Sequence, residues 1–167
     1  MAWATMLAVL IFHLLFLGRH PFAGRPLAAA DLPIEKAIQE YRFAYSKARQ
    51  TQLAPPPNTL AFSALPADIA SLFERAFDGP AANAGTRPSA AEWHGALTNL
   101  KKTLKRCVKE PSHKYPEHNS SCPWCWIEDD TGVVLFQSLT RQAYAPPPPS
   151  PSGFTDTEVL WQAVLRT

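Results

Sequence analysis

The sequence predicts a mainly α-helical protein with a small cysteine-containing module towards its C-terminal end. Four segments before residue 107 carry apolar residues in helical patterns, and all three cysteines lie between residues 107 and 125. The 17 prolines, roughly twice the usual share of about 5%, fall mostly between these segments. A chain of 167 residues that is 46% hydrophobic can bury a core, which excludes wholesale disorder. Its net charge of +2 excludes a strongly cationic arm or an acidic tail.

The first predicted element is the uncharged apolar run Ala2–Leu17. It lacks a preceding Lys or Arg, so it does not resemble a secretory signal peptide. The run is shorter than the about 20 apolar residues of a membrane span, and His13 lies at its centre. A helix that is apolar all round is also typical of a buried central helix, so pattern alone leaves both interpretations open. Gly18 follows in the place of a C-cap glycine.

Two further helices are predicted between residues 33 and 77. The first has apolar residues at helical spacing: Ile34, Ala37, Ile38, Tyr41, Ala44, Tyr45 and Ala48. Pro55–Pro57 ends this segment. Leu65–Asp68 opens the next helix, whose apolar face consists of Ile69, Leu72, Phe73, Ala76 and Phe77. Residues 78–86 read as a loop rich in Gly, Pro and Asn.

The fourth helix has the clearest start, because Ser89 and Glu92 have the spacing of a capping box. Its apolar stripe is Trp93, Leu97, Leu100 and Leu104. Six cations crowd the end of this segment: Lys101, Lys102, Lys105, Arg106, Lys109 and Lys114. They could contact phosphates, but cations in the last turns also complement the helix dipole. The sequence favours the second explanation and predicts no specific nucleic-acid partner.

The remaining chain predicts a hairpin, a linker and a last helix. Two short strands, 126–127 and 133–136, flank the turn signal at 129–132. The proline run 146–151 reads as a polyproline II linker; docking into an aromatic groove is the less favoured alternative. A second possible capping box at 155–158 precedes an apolar stripe that the chain end cuts short. The predicted organisation is therefore a helical region over residues 1–106, the cysteine-containing module over 107–140, a Pro-rich linker over 141–153 and the start of a last helix over 154–167.

The cysteines form the one group with chemistry of its own. Cys122-Pro-Trp-Cys125 places two thiols on one tight turn, the arrangement used by zinc modules. Cys107 offers a third donor, and His113 or His118 offers the fourth. A Cys₃His set is an accepted structural Zn²⁺ site with no open coordination position. So small a module would obtain folding free energy from the bound metal.

Other interpretations of these residues remain. The cysteines could be unligated small hydrophobes. Cys-Pro-Trp-Cys also resembles a glutaredoxin motif, which would make the protein a thiol oxidoreductase. Such a motif should follow a strand and open a helix, whereas a polar stretch precedes it here and a hairpin is predicted after it. His13, His20 and His94 have no partner pattern and read as core or surface residues.

Two blocks of the chain resemble the C-terminal lobe of protein kinases. Residues 7–22, LAVLIFHLLFLGRHPF, are similar to the central hydrophobic helix of that lobe and its following loop. Residues 86–93, TRPSAAEW, resemble the R-P-[ST]-A stretch that opens its last helix. The cysteines just after that helix resemble bacterial kinase-like proteins of the helix-hairpin-helix or tellurium-resistance-associated type. This resemblance favours a buried role for residues 2–17 and His113 as the fourth ligand.

The sequence also departs from the kinase pattern in the motifs on which catalysis depends. The chain has no Gly-rich loop, no strand Lys, no H-R-D and no D-F-G, the parts that bind nucleotide and Mg²⁺. Trp3 stands where the family has an Asp, and Arg87 matches an Arg whose A-P-E glutamate is missing. A truncated gene or a misassigned start would explain this, and the first helix would then lack part of its cover. The resemblance therefore implies a kinase-like ancestor without ATP binding here.

The leading functional hypothesis is a non-catalytic, cytoplasmic fragment of a protein that resembles a Ser/Thr kinase or pseudokinase. Partial C-lobe helices would be followed by a small zinc-ribbon-like β-hairpin module with a structural zinc site. Its role would be interaction or scaffolding with an unidentified protein partner. The first alternative is a small membrane-anchored protein with residues 2–17 as its anchor. The second is a CxxC thiol oxidoreductase.

Overall fold

The computed structural model describes residues 2–27 and 32–136. The helices are α1 (Ala2–Leu15), α2 (Ile34–Gln39), α3 (Ala67–Ala76), α4 (Gly79–Ala84), α5 (Ala90–Lys102) and α6 (Pro123–Thr131), with a short 3₁₀ turn at Phe62–Ala64. Strands β1 (Arg25–Pro26) and β2 (Leu53–Ala54) form one antiparallel pair, and β3 (Leu104–Arg106) and β4 (Lys114–Pro116) form another. The mainly α-helical prediction is confirmed for these residues. The predicted linker and last helix lie outside them.

Helix α1 buries one face and exposes the other. Phe12 is fully buried, and its ring meets a cluster of aromatic rings: Phe16, Phe43, Tyr45, Phe73 and Phe77. On the opposite face Trp3 is 81% exposed and Leu14 71%, with Met6 and Leu10 also exposed between them. The prediction of a buried helix therefore holds for one face of α1, while its other face is exposed. Among the helices described, none combines the length and the apolarity needed to cross a membrane.

Helix α2 ends much earlier than the periodicity predicts. The amide of Tyr41 donates to Ile38 and that of Arg42 donates to Ala37, the two hydrogen bonds of a Schellman motif. Tyr41 takes the left-handed position at φ 54°. The chain then turns so that Phe43, Ala44 and Tyr45 enter the core from a loop. The helical spacing of Ala44 and Tyr45 from Tyr41 is therefore a coincidence of burial, and the predicted helix over 34–48 is wrong beyond Gln39.

The loop predicted at 78–86 contains helix α4. The Asp78 carboxylate accepts a hydrogen bond from the Ala81 amide, and Pro80 lies in the first turn. Gly85 closes the helix with φ 69°. The Gly, Pro and Asn residues that suggested a loop thus include the start and stop signals of a short helix.

Helix α5 begins with the predicted capping box. The Glu92 amide donates to the Ser89 hydroxyl, and the Glu92 carboxylate accepts from the Ser89 amide. Trp93 and Leu100 are buried along its predicted stripe. The helix ends at Lys102, however, so Leu104 and the cations Lys105 and Arg106 belong to strand β3 rather than to the last helical turn.

Replacing Glu92 by glutamine is expected to remove a pH-dependent part of the stability. The hydrogen bond from the Ser89 amide, with a further one from Arg75, lowers the pKa of Glu92 to about 2 from its usual 4.5. A carboxylate with a depressed folded-state pKa stabilises the fold above about pH 4.5, and this contribution is lost as pH falls towards about 2. Thermal melting should show a lower Tm for Glu92→Gln at pH 7 and no difference from wild type at pH 2. Glu35→Gln, in the first turn of α2, is the control; an equal loss there would contradict the assignment.

The predicted hairpin over residues 126–136 is wrong, because residues 123–131 form helix α6. Pro123 occupies the first turn, Trp124 and Ile127 bury one face, and Gly132 caps the end at φ 68°. The residues that read as a hairpin turn are therefore the last turn of a helix and its cap. The hairpin of this region lies earlier, where Arg106 pairs with Lys114 and Leu104 with Pro116.

The hairpin and α6 share the core of the helices. Cys107, Tyr115, Trp124 and Ile127 belong to the same cluster of buried residues as α1, α3 and α5. The Asn119 side-chain amide also donates to the Ala64 carbonyl at 3.0 Å. The region around the cysteines therefore packs against the helices.

Candidate metal centre

Four potential ligands converge where the β3–β4 hairpin meets the start of α6. Cys107 directly follows β3, and His113 directly precedes β4. Cys122 is the N-cap of α6, and Cys125 lies one turn further on. The ligand atoms of these four side chains all lie within 4.8 Å of one another. The structure thus brings together the three cysteines and His113.

The spacing of these atoms suits a tetrahedral ion. The Cys107 and Cys125 sulfurs are 3.6 Å apart, and His113 Nδ1 is 3.6 Å from the Cys122 sulfur and 3.4 Å from the Cys125 sulfur. Bonds of about 2.3 Å to sulfur and about 2.0 Å to nitrogen give tetrahedral edges of roughly 3.5–3.8 Å. Three of the six donor–donor distances thus match these edges, and since the others lie within 4.8 Å, the four donors could bind a metal after a small adjustment.

Local backbone structure fixes each donor. The Cys107 amide donates to the His113 carbonyl at 3.0 Å, which extends the β3–β4 pairing and holds both ends of the connecting loop. Pro123 in the first turn of α6 favours helix directly after Cys122. Helical spacing then places Cys125 on the same side as Cys122, because residues three apart are neighbours on a helix.

Glu128 is a residue of the candidate site that the sequence did not predict. Its carboxylate lies 3.2 Å from His113 Nε2 and also accepts a hydrogen bond from the Leu135 amide at 2.7 Å. A histidine that binds metal through one ring nitrogen commonly donates its other N–H to a carboxylate, which fixes the tautomer and the ring orientation. His113 is completely buried, and Glu128 leaves Nδ1 facing the three sulfurs. The available signal was the spacing Cys125-x₂-Glu128, which becomes meaningful only once this segment is known to be helical.

The thiols affect one another's protonation. Burial, together with the neighbouring Cys107 and Cys122 thiols, raises the pKa of Cys125 to about 12. Burial also raises the pKa of Cys122, whereas hydrogen bonding from the Glu110 backbone lowers the pKa of Cys107. Cys122 and Cys125 therefore resist ionisation unless a positive charge joins the cluster. A bound metal cation would have the opposite effect and favour the thiolate form, because a thiol that coordinates a metal is deprotonated.

The other predicted candidates lie elsewhere. His118 is exposed and lines an open groove of about 840 Å³ with residues of α3, outside the four-donor cluster. The rings of His13 and His20 meet edge to face, with their centroids 5.5 Å apart. The CPWC motif opens a helix, so the hairpin predicted after it is wrong, whereas the irregular stretch 117–121 before it is as predicted. What distinguishes this site is that Cys107 and His113 converge on the same two thiols.

Comparison with known proteins finds a kinase relative. The chain is 42% identical over 138 residues to Protein kinase YegI of Escherichia coli strain K12, and matches the protein of that name from strain O157:H7 equally well. The match covers 81% of this chain and 21% of each relative, so the chain spans about a fifth of their length. No family model and no solved structure matches the chain. The chain is therefore similar to one portion of a protein named as a kinase.

Proposed function

We propose that this chain is a non-catalytic, structural portion of a kinase-like protein, and that one bound Zn²⁺ ion stabilises its fold. Cys107, His113, Cys122 and Cys125 are the proposed ligands. With four protein donors the site is closed, so it stabilises the fold and has no position at which a substrate or a catalytic water binds. Its role is to support interaction with a protein partner.

The convergence of four donors at tetrahedral spacing is the observation that carries this proposal. Three thiols favour Zn²⁺ or another thiophilic ion over Mg²⁺ or Ca²⁺, which prefer oxygen ligands. The Glu128–His113 contact supports the same conclusion, since it is the outer-sphere arrangement that metal-binding histidines use. A thiol-exchange enzyme requires no buried histidine with its free nitrogen directed at both thiols.

The kinase-like part of the proposal is supported by the relatives and by two local features. The helix that resembles the central helix of a kinase lobe is α1, and its Phe12 is central to the aromatic core. The R-P-S-A stretch does open a helix, α5, and Arg87 donates from Nε to the Ala76 carbonyl at 3.2 Å. The groups that phosphoryl transfer requires do not occur in the 167 residues. We therefore assign no ATP chemistry to this chain.

The exposed face of α1 is the surface through which the proposed interaction would take place. Trp3, Met6, Leu10 and Leu14 present apolar side chains at helical spacing, and contiguous exposed apolar patches mark interaction sites. In the kinase-like interpretation, another portion of a kinase lobe covers this face. The surface that packs on this face would therefore be apolar, like the interior of a domain, and not polar, like a transient contact.

Metal analysis of the purified protein tests the zinc site. We expect about one Zn²⁺ per chain after dialysis and none in Cys125→Ser, since a serine hydroxyl is a poor substitute for a thiolate ligand. Ser121→Ala, next to the motif but outside the cluster, should retain the full zinc content. Zinc-free wild-type protein that melts like the zinc-loaded protein would contradict a structural site. Saturable ATP binding would contradict the non-catalytic assignment.

A further inference from the structure

Four exposed cations occur at the end of α5 and on the β3–β4 hairpin that follows it in the chain. Lys101 and Lys102 occupy the last turn of α5, Arg106 ends β3 and Lys114 begins β4. All four side chains are exposed. We call this group the basic face. It is separate from the metal centre, although the same hairpin supports both.

The pairing register places two of these cations directly opposite each other. Arg106 and Lys114 are register partners in the antiparallel pair. Partners across such a pair have Cα atoms about 4.5–5.5 Å apart and side chains on the same side. Like charges in this arrangement destabilise a sheet, so the hairpin carries a local electrostatic cost that a neutral or acidic residue at either position would remove.

No carboxylate offsets this cost. In residues 2–27 and 32–136, neither Arg106 nor Lys114 nor the two lysines of α5 forms an ion pair, whereas other cations of the protein do: Lys36, Arg42, Arg49, Arg75 and Lys109. Glu117, shortly after β4, forms no ion pair with them either. What distinguishes Arg106 and Lys114 from the other cations without ion pairs is therefore that the strand register sets them opposite each other with no carboxylate partner among the described residues.

The helix dipole accounts for only half of the basic face. Lys101 and Lys102 are in the last turn of α5, where cations interact favourably with the helix end. Arg106 and Lys114 lie on strands, where no such dipole acts. The explanation that sequence alone favoured for the whole cluster thus fails for the two residues whose placement is the most costly.

We propose that the basic face binds the phosphodiester backbone of a nucleic acid, DNA or RNA, without reading its bases. A partner that offsets four unpaired cations must be anionic, and nucleic acid has the densest regular array of charges. The basic face contains no aromatic side chain on which a base could stack. Lysine contacts phosphate as a point charge without fixed geometry, so recognition by charge fits a repeating backbone better than an individual acidic peptide.

Fluorescence anisotropy with labelled single-stranded DNA, single-stranded RNA and duplex DNA tests this with the 167-residue chain at several salt concentrations. The test variant is Arg106→Glu with Lys114→Glu. The matched control is Arg25→Glu with Lys47→Glu, which makes the same change in net charge at two exposed residues that form no ion pair. We expect the test variant to weaken binding about tenfold or more at low salt. Loss of two phosphate contacts should reduce the salt slope by about 1.8 for duplex or about 1.4 for single strands, while the control binds as wild type does.

Three results would overturn the proposal. They are no binding by the wild-type chain, equal weakening by the test and control variants, and equally tight binding of polyglutamate, which would assign the basic face to acidic proteins. Comparison of the three nucleic-acid probes shows which backbone is preferred. Zinc content and Tm are measured for each variant. A variant that keeps its zinc and its Tm but loses nucleic-acid binding separates the basic face from the proposed structural role.

Discussion

Replacing Phe12 by alanine is expected to lower the free energy of unfolding by about 3–5 kcal/mol, because it leaves a large cavity in a packed aromatic cluster. The Phe12 ring stacks on Phe16 at 4.0 Å between centroids and meets Phe73 edge-on at 5.1 Å. The side chain is completely buried, so the loss includes both transfer and cavity contributions. Since domains of this size have stabilities of about 5–15 kcal/mol, much of the fold's stability depends on this ring. Urea unfolding followed by circular dichroism measures the change.

Leu14→Ala is the control on the same helix, two residues away. Leu14 is 71% exposed, and alanine has the higher helix propensity, so the urea midpoint should change little. An equally large loss in both variants would mean that the exposed face of α1 is covered in solution. A small loss for Phe12→Ala would mean that the aromatic cluster is not the centre of the core.

The parts of the fold that were predictable from sequence are those specified by local signals. The capping box of α5 requires only Ser89 and Glu92, and the apolar run of α1 forms a helix as predicted. The end of helix α2 could not be predicted from a local signal, because the left-handed position that ends it (φ 54°) is taken by Tyr41 and not by a glycine. Ala44 and Tyr45 are buried from the loop that follows this turn, and their spacing from Tyr41 imitates a helix.

The candidate site shows the same division between local and tertiary information. The spacing of Cys122 and Cys125 predicts a pair of ligands, but the choice between His113 and His118 depends on the hairpin register. Strand β4 starts one residue after His113, and this position points the imidazole at the thiols. Glu128 could not be found while its segment was predicted to be a hairpin. The site residues therefore depend on the secondary structure that presents them.

The sharpest test of the metal centre is His113→Ala, which is expected to reduce zinc affinity by more than about 100-fold. Loss of an outer-sphere partner alone typically costs 10–100-fold, and this change removes both a direct ligand and the partner of Glu128. Without metal the hairpin should open locally. The Cys107 amide, bonded to the His113 carbonyl, and the Trp124 indole, bonded to the Lys114 carbonyl at 2.8 Å, should lose protection from hydrogen exchange.

His118→Ala is the matched control, because it removes an exposed histidine five residues along the chain and leaves the four donors in place. Competition with a chromophoric chelator gives the zinc affinity, and hydrogen exchange by NMR gives the protection of each amide. The Phe16 amide, bonded to the Phe12 carbonyl at 2.8 Å, reports on the helical core and should remain protected if the opening is local. Unchanged zinc affinity in His113→Ala, or an equal loss in His118→Ala, would show that the buried imidazole is not the fourth ligand. Glu128 would then be pairing with a histidine whose role is packing alone.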